Sequence, residues 1–195
     1  FVNREDTPLN KQGKPDYESI DAIDLDTFNI DLLRLLEGND VELPKFNFKS
    51  GKREMSGKVV RVDQDHPIII EGIHGLNPKL TKMIPEKNKF KVYISALTQL
   101  SIDSHNRIST SDTRLIRRIV RDNKFRGNNP LGTFDMWKSV RNGEENYIFP
   151  FQEEADIMFN SSLVYELCVL KKYIQPLLES IDNSSVHYSN AKRLL

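Results

Sequence analysis

Apolar and polar positions divide the chain into a polar opening, then short apolar runs alternating with longer helical stripes. Residues 3–18 are polar, with Pro8, Gly13 and Pro15, and read as a loop. Phe28, Leu32, Leu33, Leu35 and Leu36 fall at helical spacing. They predict a helix from a cap at Asp26 or Thr27 to Glu37, stopped by Gly38. Val41 to Phe48 alternates and contains Pro44, which predicts an edge strand or an extended segment. Gly51 and Gly57 bracket a turn, after which Val59 to Val62 is expected to pair back. Ile68 to Ile70 is a continuous apolar run that fits a strand buried on both faces. A short helix is expected over Lys79 to Ile84, then a strand over Lys89 to Ser95. Helices follow over Asp112 to Lys124 and Thr133 to Arg141, and a strand over Ala155 to Phe159. Leu163 to Ile181 reads as a long helix interrupted near Pro176, and residues 187–195 open a further amphipathic helix. Buried strands alternating with helices predict an α/β fold with a parallel sheet.

Composition narrows the class. A chain of 195 residues with 38% apolar and 29% charged residues is globular rather than disordered. No run approaches the ~20 apolar residues of a membrane span, and the acidic, polar opening has no signal-peptide pattern. The single cysteine, Cys168, excludes a disulfide within the chain and fits a reducing, cytoplasmic compartment. Because it begins at Phe1, the chain is expected to be a piece of a longer protein.

Charge balances at 28 basic and 28 acidic residues, but unevenly. Residues 1–42 hold 11 acids against 4 bases, whereas residues 107–126 hold 7 bases against 2 acids. Such a local basic patch suits a small anion; a nucleic-acid partner, which spreads charge further, is not expected.

Three groups could carry chemistry. Glu71-Gly72 follows the Ile68–Ile70 run, where a parallel sheet places ligands; the carboxylate suits a hydrated Mg²⁺ or a substrate hydroxyl. The alternative is a surface glutamate at a strand end. Arg114, Arg117 or Arg118, and Arg121 share one helical face, with Arg126-Gly127 at its end. Planar guanidiniums suit phosphate, unless they form a solvated face paired with Asp112 and Asp122. Phe46 and Phe48, two apart and near Arg53, could wall a flat base or could pack an edge strand. The four histidines show no metal-ligand spacing with each other or with Cys168. Neither a Gly-x-Ser-x-Gly elbow nor a Gly-x-x-x-x-Gly-Lys-Ser/Thr loop occurs.

In order and spacing these pieces resemble the uridine kinase and phosphoribulokinase family of P-loop kinases. The likeness runs from about Phe1 to Phe159. It rests on Leu25-Asp26-Thr27-Phe28-Asn29, Pro44-Lys45-Phe46-Asn47-Phe48 with Arg53, Ile70-Glu71-Gly72-Ile73, Arg117-Arg118-Ile119-Val120-Arg121-Asp122 with Arg126-Gly127, and Ala155-Asp156. Ile148 to Leu170 is similar to a bacterial clade in which the kinase domain follows a threonyl-tRNA-synthetase-like region.

The resemblance implies a P-loop NTPase-like parallel sheet with flanking helices, here expected without its first strand and P-loop. It implies one kinase-like domain over 1–181, with 182–195 a tail or the start of a further helix. It implies ATP and Mg²⁺ as cofactors, a nucleoside-like acceptor, and no membrane partner. Asp26 would hold ribose hydroxyls, Phe46 and Phe48 would flank the base with Arg53 closing that segment, and Arg118 would contact substrate. Glu71 would be the Mg²⁺-associated carboxylate, and Arg121 and Arg126 the catalytic lid arginines on the nucleotide phosphates.

Three departures qualify this. The Walker A loop and the general-base aspartate of the family find no counterpart, so these residues alone are expected to be inactive and to expose a strand edge that could pair in a homodimer. Gly51 stands where uridine kinases carry the histidine that reads the pyrimidine edge, with Phe46 in place of a tyrosine; uridine is therefore not carried over as the acceptor. Asn128 replaces a further lid arginine. The expected function is ATP-dependent phosphoryl transfer to a hydroxyl of a nucleoside or related small molecule. The alternative is a non-catalytic nucleotide-binding or regulatory module attached to a synthetase-like region.

Overall fold

The computed structural model describes residues 1–47 and 50–195, so the expectation for Phe48 lies outside the described residues. The chain is mixed α/β and divides into two units. The first comprises Phe1–Val92 and Gly143–Asp156, the second Tyr93–Asn142 and Ile157–Leu195.

In the first unit, α1 spans Leu25–Leu36. Its cap is Asp24 rather than Asp26 or Thr27. Asp24 Oδ1 accepts from the Thr27 amide at 3.0 Å and Oδ2 from the Thr27 hydroxyl at 2.8 Å, which satisfies a donor left free at the helix start. Gly38, at φ 76°, ends the helix as expected. β1 (Val41–Asn47) and β2 (Lys52–Val60) form an antiparallel hairpin in which Phe46 faces Arg53. Gly51 sits in the turn. Gly57 does not; it lies inside β2, where the register slips between Glu42 and Pro44, and its φ of 70° fits that bulge.

Two expectations fail here for physical reasons. Ile68–Ile70 is extended but unpaired, and Ile69 is 88% exposed. A strand buried on both faces needs neighbours and cover, and no described strand runs beside this one. Lys79–Ile84 is a series of turns rather than a helix. Pro78 and Pro85 bound it, and its bonds are of the i to i+3 kind, such as Leu80 N–H to Asn77 O at 2.9 Å and Ile84 N–H to Thr81 O at 3.0 Å. The turns still bury Leu80 and Ile84, as α1 buries Leu32 and Leu35.

Asn29 ties these turns to α1. It is 0% exposed, donates to the carbonyls of Leu25 at 2.7 Å and Leu80 at 3.0 Å, and accepts from the Met83 amide at 3.1 Å.

His74 is buried edge-on against Tyr147 at 5.6 Å, and the Tyr147 hydroxyl donates to Asp16 at 2.8 Å. Desolvation holds the His74 pKa below its ordinary 6.5, against the opposing pull of the Glu18 and Ser19 backbone and of Asp21 and Asp16. The unfolded chain therefore binds this proton more readily than the folded one. Stability from neutral His74 is present above pH 6.5 and is lost as pH falls below it. The urea midpoint is expected to drop between pH 7.5 and 5.5, and His74→Phe to shrink that drop. Equal slopes for the two proteins would refute it.

In the second unit, except for Val92, β3 (Val92–Ser95) and β4 (Ile157–Asn160) pair. The carbonyls of Lys91 and Ser95 accept from the amides of Asp156 and Ser161, each at 2.9 Å, so both strands run the same way. Parallel pairing among the described residues is confined to this pair; the larger sheet expected from the sequence is not formed. β4 is exposed throughout.

α2 (Thr110–Arg126) is capped by Ser109 and closed by Gly127 at φ 68°. α3 spans Pro130–Tyr147, its residues from Gly143 on belonging to the first unit; α4 spans Glu166–Glu179 with Pro176 inside it, and α5 Tyr188–Leu194. Leu115, Ile116 and Ile119 of α2 pack with Phe134, Ile174, Leu178, Ile181 and Ala191, and Trp137 lies partly buried against them. α5 thus contributes to this core through Ala191. No helix among the described residues is long and apolar enough to cross a membrane.

Candidate functional site

A cleft of about 190 Å³ in the first unit lies among α1, the hairpin and the Ile68–Ile70 segment. Helical spacing builds one wall. Asp24, Thr27 and Asp31 recur at i, i+3 and i+7, with Phe28, Leu32 and Leu35 beside them. Leu43 and Pro44 of β1, with Ile68 and Ile70, make an apolar wall; Ile23 and Phe1 complete the lining with Arg53.

Arg53 comes from β2. Its amide donates to Asn3 Oδ1 at 3.1 Å, and its guanidinium pairs with Asp24 and reaches Thr27 Oγ1 at 3.4 Å. Burial acts to raise the Asp24 pKa, but hydrogen bonds from Thr27 and Arg53 outweigh it and hold the carboxyl below its ordinary value.

Asp26 and Phe46 are not in the cleft lining. Asp26 points away and pairs with Lys82 at 2.9 Å, its side chain 80% exposed. Phe46 packs edge-on against Phe1 at 5.6 Å. Gly51 has a packing reason: a Cβ there would meet Arg4 Cβ at 2.9 Å, and φ is +69°. Glu71 is exposed on the segment after Ile70.

The arginines of α2 gather in the second unit around Asp122, which is 0% exposed. Arg121 reaches it at 2.8 Å, Arg118 at 3.3 Å and Arg126 at 3.6 Å. Three guanidiniums around one carboxylate leave surplus positive charge, of a kind that suits an anion. Arg117 is occupied elsewhere: it pairs with Glu166, Nη2 to Oε2 at 2.6 Å, and donates to Ser161 O at 3.1 Å. Asp112 binds Arg193 through two contacts at 2.6 and 2.8 Å, so of the two acids offered by the sequence only Asp122 is shown serving the ladder.

Sequence reading missed Asp24 and Asp31. The Asp24-x-x-Thr27 capping pattern and the i+7 recurrence of Asp31 are the signals that could have found them.

The sequence model of the "Phosphoribulokinase / Uridine kinase family" matches residues 2–166. The chain belongs to this family. Similar proteins include the "Uridine kinase" of Bacillus pumilus, 28% identical over 185 residues, covering 92% of this chain and 79% of that protein. The "Uridine-cytidine kinase B" of Dictyostelium discoideum is 27% identical over 157 residues, covering 77% of this chain and 57% of that protein. The "Uridine kinase" of Halobacterium salinarum is 26% identical over 160 residues, covering 81% and 63%. The chain thus spans from just over half to about four fifths of the length of these relatives.

Membership in the uridine kinase family makes ATP and Mg²⁺ relevant to the donor set. Among the described residues no three His, Cys, Asp or Glu side chains cluster as a metal cage. Mg²⁺ is commonly held by one or two carboxylates together with substrate phosphates and water. Exposed Glu71 is a carboxylate of the right kind, and the Asp122-centred arginines fit phosphate oxygens.

Proposed function

We propose that this chain is the acceptor-binding and lid portion of an enzyme that transfers a phosphoryl group from ATP to a hydroxyl of a nucleoside or related small molecule. The observation that carries the reading is the cleft: an apolar slot with carboxylates, a hydroxyl and a guanidinium along one side, in a member of this kinase family. Small-molecule sites have this make-up, mostly apolar with a few polar groups that fix orientation.

The apolar wall takes the body of the acceptor. Thr27 and Asp24 offer its hydroxyls hydrogen-bond partners, and Arg53 closes over them. Arg118, Arg121 and Arg126 neutralise phosphate oxygens, held in a fixed arrangement by Asp122. Glu71 is the carboxylate associated with Mg²⁺, which when bound neutralises charge on the transferring group. Phosphoryl transfer depends mostly on positioning and charge stabilisation, the two things these side chains supply. The phosphate-cradling loop is not among the residues present, so these 195 residues by themselves are expected to turn over no ATP.

The test is ADP release from ATP and Mg²⁺ by the longest natural protein containing this chain, across ribonucleosides, deoxynucleosides and phosphorylated sugars. Turnover with one acceptor, abolished by Glu71→Gln and cut by Arg121→Ala, supports the proposal. Silence with every acceptor, with nucleotide still bound, would replace it with a non-catalytic nucleotide-binding module.

A further inference from the structure

The family's name joins two acceptor classes, a sugar phosphate and a nucleoside. We infer that this cleft takes an uncharged, hydroxylated acceptor and rejects a phosphorylated one, and that Asp31 is the residue that decides. The inference rests on the reading of the cleft as the acceptor site.

Among the described residues, the charged side chains lining the cleft are Asp24, Asp31 and Arg53. Arg53 is the one cationic side chain of that set, and it is already committed to Asp24. The start of α1 would favour an anion through its free amides, but the Asp24 carboxylate already occupies that position. Asp31 is different. It is half-buried, lines the cleft two turns along α1 from Asp24, and its carboxylate has no hydrogen bond or ion pair among the described residues. A phosphate entering the cleft would therefore meet an uncompensated negative charge between apolar walls, where screening is weak. A hydroxyl would meet an open acceptor. The wall opposite, Leu43, Pro44, Ile68 and Ile70, has no side chain that could offset a phosphate. Asp31 is a specificity-determining residue that works by repelling the wrong ligand as much as by holding the right one.

The test is equilibrium titration of the longest natural protein containing this chain with uridine and, separately, ribose 5-phosphate, repeated with Asp31→Asn and Asp31→Lys. Circular dichroism melting of each variant verifies that it is folded, and Asp31→Asn keeps the shape of the side chain. The unaltered chain is expected to bind ribose 5-phosphate at least about tenfold more weakly than uridine, the size expected of like charges a few ångströms apart in a partly desolvated site. Asp31→Asn should narrow the gap and Asp31→Lys should reverse it. Equal affinities for the two probes, or a preference unchanged in both variants, would overturn the role of Asp31 while leaving the cleft a binding site. Binding of neither probe, nor of any other ribonucleoside tried in place of uridine, would overturn the acceptor-site reading itself.

Discussion

Replacing Asp122 by alanine is expected to lower the unfolding free energy by about 3–5 kcal/mol, the usual cost of removing one partner from a buried ion pair. Asp122 is fully buried and lies within 2.8 to 3.6 Å of Arg118, Arg121 and Arg126. Without it, three guanidiniums face one another around a cavity. The surroundings can relieve this only by turning Arg121 and Arg126, whose side chains are partly exposed, out to water; Arg118 is more enclosed. Asp122→Asn should cost less, because it keeps the volume and an oxygen acceptor while losing the charge. Guanidinium denaturation followed by circular dichroism compares the three proteins. A loss below about 1 kcal/mol in Asp122→Ala, the range of exposed pairs, would mean that water already serves these arginines.

The second large effect is expected at Asn29. Asn29→Leu keeps the branched outline of the side chain, with added bulk, but leaves the Leu80 carbonyl and the Met83 amide without partners in the interior. Each stranded group costs about 1–3 kcal/mol, so a total of roughly 2–6 kcal/mol is expected. Asn29→Asp separates the two bonds. Its carboxylate can still accept from Met83 but cannot donate to Leu80, and it brings a charge into a buried position. Both variants should melt below the unaltered chain. If Asn29→Leu melts at the same temperature, the turns over residues 77–84 find other partners and Asn29 is not what fastens them to α1.

α2 was legible because it buries an apolar stripe. Leu115, Ile116 and Ile119 repeat at helical spacing, and a capping serine and a closing glycine mark the ends of α2. α1 was legible for the same reason, but its cap was misplaced: Asp24 and Asp26 both precede the apolar stripe, and only the bond from Thr27 tells them apart. Ile68–Ile70 was misread because three consecutive isoleucines describe a preference for burial, not the presence of something to bury them. The turns after His74 were misread because Leu80 and Ile84 are four apart, as in a helix, while the flanking prolines and i to i+3 bonds set a different path. The arginine ladder was visible in the sequence. Its organisation around one buried carboxylate was not, because burial of Asp122 depends on what packs over it.

Trp137 has a use beyond packing. It is the single tryptophan of the chain and belongs to the second unit, partly buried against that unit's core. Its emission is therefore a local thermometer. In Asn29→Leu, whose lesion lies in the first unit, fluorescence that stays native while the far-ultraviolet signal begins to fall would reveal two units melting in sequence. Coincident curves would make them a single cooperative block, through which damage at one end is felt at the indole.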